Sequence, residues 1–202
     1  NNVLAGVSLD GRKFFYVNPL SVEMRRRPHV LSEKAMRGTV RQEWFGCACC
    51  PTNVVRILGA LGSYVYSTSA AAAYVHLYVG GQATLHLGRR QVRLTQTTRY
   101  PWKGKVRIRV DVDRPGVFSL LLRIPGWCRS HTLTLGGKRV DARRTKGYAR
   151  LQRRWEGGET IELNLQMPVQ RVAAHPYVAD DRGKVALQRG PLVYCLEECD
   201  HK

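Results

Sequence analysis

Lys105-Val106-Arg107-Ile108-Arg109-Val110-Asp111-Val112 puts an apolar side chain at every second position and a charged one between each pair. A period of two belongs to a β-strand with one face in a core and the other in solvent. The pattern repeats outward in both directions. Strands are predicted at 74–79, 83–87, 91–95, 117–124, 132–135, 148–152, 160–166, 170–174, 184–188 and 192–196. Gly80-Gly81, Asp113-Arg114-Pro115-Gly116, Gly136-Gly137 and Glu156-Gly157-Gly158 supply turns between them. Many short strands at such spacing predict a β-sandwich.

Upstream of about Ala73 the period changes to 3.6. Val54, Ile57, Leu58 and Leu61 fall at i, i+3, i+4 and i+7, one apolar helix face. Pro51 suits the first helical position and Gly62 the terminator. Nearer the start, two short runs flank Asp10-Gly11, a hairpin signal, and Asn18-Pro19 stops the second. Residues 21–46 are polar and irregular. The expected fold class is therefore mainly β with a small α part.

The chain has 202 residues, with 33 Lys and Arg against 15 Asp and Glu, a net charge of +18. An apolar fraction of 44% and a charged fraction of 24% are those of a globular protein, which excludes wholesale disorder. No stretch reaches the roughly 18 consecutive apolar residues of a membrane span. The chain opens on Asn1-Asn2-Val3, without Met and in mid-pattern, so it is expected to be a piece of something longer. The charge invites an anionic partner, but the Arg residues are spread along the chain and alternate with apolar residues as a solvated strand face would. No RRM, KH, helix-turn-helix or zinc-finger pattern accompanies them. Neither a nucleic-acid nor a membrane partner is expected.

Cysteine is concentrated. Of six Cys, three lie in Cys47-Ala48-Cys49-Cys50, and the others are Cys128, Cys195 and Cys199. Adjacent Cys make strained disulfides with each other. Metal or nucleophile chemistry in a reducing, cytoplasmic compartment is the better expectation. If Pro51 begins the helix, Cys49 and Cys50 sit at its positive end, where unpaired N–H groups and the dipole favour thiolate over thiol. Cys-x-Cys-Cys does not complete a tetrahedral zinc site alone, so further ligands must come from elsewhere.

Trp44-Phe45-Gly46-Cys47-Ala48-Cys49-Cys50-Pro51-Thr52-Asn53-Val54-Val55-Arg56 resembles the family-127 glycoside hydrolases, the β-L-arabinofuranosidase-like proteins. So do Leu4-Ala5-Gly6-Val7-Ser8-Leu9-Asp10-Gly11 with Phe14-Phe15-Tyr16-Val17-Asn18-Pro19-Leu20, and Leu122-Arg123-Ile124-Pro125-Gly126-Trp127-Cys128. Arg154-Trp155-Glu156-Gly157-Gly158-Glu159 and 183–197 are similar too. The resemblance implies the end of an (α/α)6 barrel at 1–68, a β-sandwich at 69–170 and the first strands of a second, truncated β-sandwich at 171–202. It implies a zinc-dependent retaining glycosidase that releases non-reducing-end β-L-arabinofuranose from an arabinofuranoside-type oligosaccharide or glycoconjugate. Cys49 matches the family's nucleophile, which also binds zinc. Cys50 matches a zinc ligand, and Cys47 lies near the site without being a ligand. The remaining ligands, a Glu and a Cys of a Glu-x-Cys segment, and the acid/base Glu belong upstream. This chain alone, without that upstream barrel, is expected to be inactive.

Tyr16 is a candidate substrate-binding residue, with ribbon packing beside Phe14 and Phe15 as the alternative. His29 is read as a loop histidine and Glu33 and Glu43 as solvated carboxylates. Trp44 either stacks on a sugar or packs behind the Cys loop. Two other classes compete with the enzyme reading: a non-catalytic carbohydrate-binding or structural β-sandwich, and a basic nucleic-acid-binding protein with a Cys-zinc site.

Overall fold

The computed structural model describes residues 6–14, 41–47 and 49–194. Tyr16, His29, Glu33, Cys195 and Cys199 lie outside the described residues. Helix α1 spans Cys49–Ala60 and runs into a 3-10 turn at Leu61–Tyr64. The strands are β1 (Tyr66–Ser69), β2 (Ala72–Val75), β3 (Gly81–Leu87), β4 (Arg90–Thr98), β5 (Lys105–Val112), β6 (Gly116–Arg123), β7 (His131–Leu135), β8 (Lys138–Arg139), β9 (Arg143–Thr145), β10 (Tyr148–Trp155), β11 (Glu159–Leu165), β12 (Val169–Ala173), β13 (Val185–Arg189) and β14 (Leu192–Tyr194). Two compact units result, one from Ala60–Pro168 and one from the described residues before Ala60 and after Pro168.

The 60–168 unit is a sandwich of a five-stranded sheet, β1-β2-β6-β10-β9, and a six-stranded sheet, β3-β4-β5-β11-β7-β8. The period-two pattern explains it directly. Val106, Ile108 and Val110 are fully buried, as are Val92 and Leu94 on β4 and Ile161 and Leu163 on β11. The five-stranded sheet contributes Ala73, Val75, Phe118, Leu120, Leu122, Ala149 and Trp155 to the same core. Trp155 stacks on Phe118 at 5.5 Å and its indole N–H donates to the Phe118 carbonyl at 3.1 Å, so its one polar atom is satisfied within the core. Buried Gln96 of β4 donates to the Tyr66 hydroxyl of β1 at 2.7 Å and ties one sheet to the other.

Pairing is antiparallel except between β2 and β6, which run parallel. A parallel neighbour needs a crossover. The chain makes it by leaving after β2, building β3, β4 and β5 in the other sheet, and returning as β6. The second unit contains α1 and a three-stranded antiparallel sheet, β12-β13-β14.

Three local expectations change. Residues 66–69, Tyr-Ser-Thr-Ser, form edge strand β1, and 143–145 form edge strand β9. Both are short, polar and largely exposed, so no hydrophobic alternation marks them. Pro51 is the third helical residue, not the first, because the helix begins at Cys49. Proline fits there since N–H groups of the first turn have no intrahelical acceptor. Gly62 lies inside the 3-10 turn, two residues beyond the end of α1, instead of capping it.

His76 and His131 give the sandwich a pH dependence. Burial, then the nearby Arg123 guanidinium, lowers the His76 pKa, and burial followed by Arg144 lowers that of His131. Both are bases held neutral in the fold. The unfolded chain therefore binds more protons below about pH 6.5, and stability falls as pH drops through that value. Thermal unfolding at pH 7.5 and 5 should show a loss on acidification that shrinks when His76 and His131 are both replaced by Asn. An unchanged pH dependence in that variant would refute the assignment.

Candidate active site

The cysteine cluster is positioned from both sides. Upstream, Asp10-Gly11 forms the expected turn: the Ser8 hydroxyl donates to Asp10 Oδ1 at 2.5 Å and the Arg12 N–H donates to the same oxygen at 3.1 Å. Those two bonds, in that order, hold the Asp10 carboxyl below its usual pKa. Gly11, at φ +73°, supplies the left-handed residue the turn needs. The ribbon bridges Val7 to Phe14, and Phe14 exchanges two 3.0 Å backbone bonds with Gln42. The Phe14 ring then meets Phe45 edge-on at 5.0 Å. The backbone entering Cys47 is thus fixed two residues ahead of it.

Downstream, α1 fixes the other two cysteines. Cys49 and Cys50 are its first two residues. The Thr52 hydroxyl and the Asn53 amide both donate to the Cys49 carbonyl, at 3.1 and 2.7 Å, and brace the first turn. Cys49 is exposed and Cys50 half-buried, and both are free thiols. Their sulfurs stand 3.6 Å apart. That is far beyond the roughly 2.05 Å of a disulfide. It matches two thiolates on one tetrahedral zinc, which Zn–S bonds of about 2.3 Å put roughly 3.8 Å apart. The pair fits half of a zinc site. Among the described residues no cluster of three or more His, Cys, Asp or Glu completes it.

The other candidates separate. Cys47 and Glu43 are exposed, and Trp44 is 62% exposed, so its ring does not pack behind the loop. Cys128 is buried in the sandwich, its thiol donating to the Ser130 carbonyl at 3.1 Å. Burial raises its pKa, which makes it an inert core thiol. His86 is exposed on β3. His76 is part-buried between Ser67 and Tyr148, bonded to each at 2.7 Å. No sequence signal marks that arrangement, since Ser67 and Tyr148 are brought to His76 by sheet pairing alone.

Family models match consecutively along the sequence. The GH127 β-L-arabinofuranosidase catalytic domain matches residues 1–63, its middle domain matches 72–167, and the glycoside hydrolase family 127 C-terminal domain matches 169–202. The chain belongs to glycoside hydrolase family 127. The family-127 motif around the cysteines falls in the catalytic-domain match, and the sandwich falls in the middle-domain match. A non-reducing end β-L-arabinofuranosidase of Bifidobacterium longum subsp. longum is 36% identical, with all of this chain aligned to 31% of that protein. A GH127 β-L-arabinofuranosidase from Geobacillus stearothermophilus T6 superposes with a TM-score of 0.86 at 45% identity, over 98% of this chain and 31% of that one. Another GH127 β-arabinofuranosidase gives 0.84 at 35% identity, over 99% and 32%. The chain thus spans about a third of the length of these family-127 relatives. Among the described residues no helix is long and apolar enough to cross a membrane.

Proposed function

We propose that the whole protein is a retaining glycosidase that releases β-L-arabinofuranose from non-reducing ends, with Cys49 as nucleophile. The observation that supports this best is the placement of Cys49: an exposed sulfur in the first turn of α1, 3.6 Å from the sulfur of Cys50. The family relatives are β-L-arabinofuranosidases, which supplies the sugar.

In this reading the Cys49 sulfur attacks the anomeric carbon. A C–S bond forms as the glycosidic C–O bond breaks, and the leaving oxygen takes a proton from the acid/base Glu that the resemblance places upstream. That Glu, now a base, draws a proton from water. The water oxygen attacks the same carbon from the opposite face, and the Cys49 thiolate departs. Two inversions give retention. Cys49 and Cys50 would hold zinc, whose chemistry when bound is to keep the thiolate deprotonated and oriented. A site that depends on free thiols suits a reducing compartment.

The test is hydrolysis of an aryl β-L-arabinofuranoside by the whole protein, with the product anomer followed by NMR and bound metal measured by elemental analysis. Retention and about one zinc per chain are expected, with the zinc lost in Cys50→Ser. A wild-type protein that hydrolyses nothing and carries no zinc would instead be a non-catalytic carbohydrate-binding module.

A further inference from the structure

Arginines on the two outer faces of the sandwich differ in their pairing. On the central strands of the six-stranded sheet four basic residues are neutralised: Arg107 and Lys105 both pair with Glu162, at 2.6 and 3.2 Å, and Arg109 and Arg93 both pair with Asp111, at 3.0 and 3.8 Å. On the five-stranded sheet Arg154 pairs with Glu156 at 2.8 Å. On that same sheet, Arg123 of β6, Arg150 of β10 and Arg143 of β9 point outward and are exposed. Among the described residues no carboxylate lies within ion-pair distance of any of the three. Arg150 does donate to the Ser119 hydroxyl at 3.0 Å, which holds its guanidinium over the sheet.

The register makes this unfavourable for the isolated fold. Arg150 stands directly opposite Arg143. Like charges in that relation repel. Arg150 also faces Leu121, two residues from Arg123, so Arg123 and Arg150 are diagonal neighbours. The Cβ spacing is about 5 Å for the opposed pair and about 7–8 Å for the diagonal one. Three cations set along neighbouring strands suit a chain with repeated carboxylates, which can pair with each of them in turn. Arginine is also the side chain whose fork fits a carboxylate bidentately.

We propose that this face binds an acidic polysaccharide, a polyuronate chain, laid across β6, β10 and β9. The choice of a glycan rests on the glycosidase reading above. The neighbouring rings argue against nucleic acid. Tyr74 meets Tyr148 edge-on at 5.9 Å and His76 meets Tyr148 at 79°, so the rings are packed on one another and do not fan out as platforms for bases. Among the described residues the face is also built of strands alone and presents no helix to a duplex groove. The aromatic edges, the Tyr148 hydroxyl and the three guanidinium groups together form an amphipathic track for a charged sugar chain, in a protein whose catalytic site trims neutral sugar ends.

Affinity electrophoresis of the whole protein against polygalacturonate tests this. Arg123→Gln/Arg143→Gln/Arg150→Gln should bind about tenfold more weakly, the sum of three exposed ion pairs, and the binding should weaken with salt. Arg93→Gln/Arg107→Gln/Arg109→Gln, on the other sheet, should bind like the wild type. Fully methyl-esterified polygalacturonate should bind neither protein appreciably. Equal loss in the two triple variants, tighter binding of a single-stranded DNA oligonucleotide than of polygalacturonate, or no binding by the wild type would each overturn the proposal. Unfolding temperature checks that the variants fold, and Arg123→Gln/Arg143→Gln, which keeps the Arg150–Ser119 bond, serves if the triple does not. Hydrolysis of the small aryl arabinofuranoside should be unchanged by these substitutions. Its absence in the wild type would refute the glycosidase reading without touching the binding result.

Discussion

In the whole protein, under the nucleophile assignment proposed above, Cys49→Ala is expected to lower turnover of an aryl β-L-arabinofuranoside by about four orders of magnitude or more, with KM little changed. Removing a covalent nucleophile from a site whose other groups act with it costs that much because the rest of the site has nothing to transfer the sugar to. Cys49 is the exposed member of the helix-borne pair. Two accompanying measurements separate chemistry from folding. With a slowly turned-over substrate, the wild-type peptide containing Cys49 should gain the mass of one sugar, and the variant should not. Glu43→Gln, an exposed loop carboxylate, should stay within a few-fold of wild-type activity. Robust turnover by Cys49→Ala would end the nucleophile assignment.

Gly104→Ala is expected to unfold the sandwich at a much lower temperature. Gly104 lies between β4 and β5, where its carbonyl accepts the Leu165 N–H at 3.0 Å. A Cβ at this position would stand 1.9 Å from the Leu165 carbonyl oxygen and 3.0 Å from its carbon. Both are backbone atoms of β11, whose Leu163 and Leu165 side chains are core, so neither strand can retreat without opening the sheet interface. A cost of roughly 3 kcal/mol or more follows, at the top of the range for overpacking. For a unit of this size it corresponds to about 10–20 °C in Tm. Gly126→Ala is the control, since nothing lies within 4 Å of where its methyl group would sit, and scanning calorimetry should find it near neutral. Equal effects of the two substitutions would show that the close approach is not what holds Gly104.

Much of the fold is legible in the sequence because one face of each central strand is buried. Lys105–Val112 announces itself through three fully buried residues alternating with Arg107, Arg109 and Asp111, and Gly116–Arg123 through Phe118, Leu120 and Leu122. Edge strands β1 and β9 leave no such trace because pairing on one side costs them nothing in side-chain pattern. The helix face formed by Val54, Ile57, Leu58 and Leu61 is legible as a period. Its burial is not: Ile57 and Leu58 remain half exposed. The site is legible as residues, since Cys-x-Cys-Cys before Pro51 is a local pattern. Tyr16 falls outside the described residues and remains a candidate.

By itself the sequence determined the central strands, the helix carrying the cysteines and the family, because these are local periodicities and local motifs. Tertiary structure alone decided which charges matter. Arg107 and Arg150 are indistinguishable in sequence, each alternating with apolar neighbours. Strand pairing puts Glu162 beside the first and Arg143 beside the second. The same holds for Gly104, whose need to be glycine comes from the distant backbone of Leu165. Contacts between residues far apart in the chain are set by register and packing, and no window of sequence contains both partners.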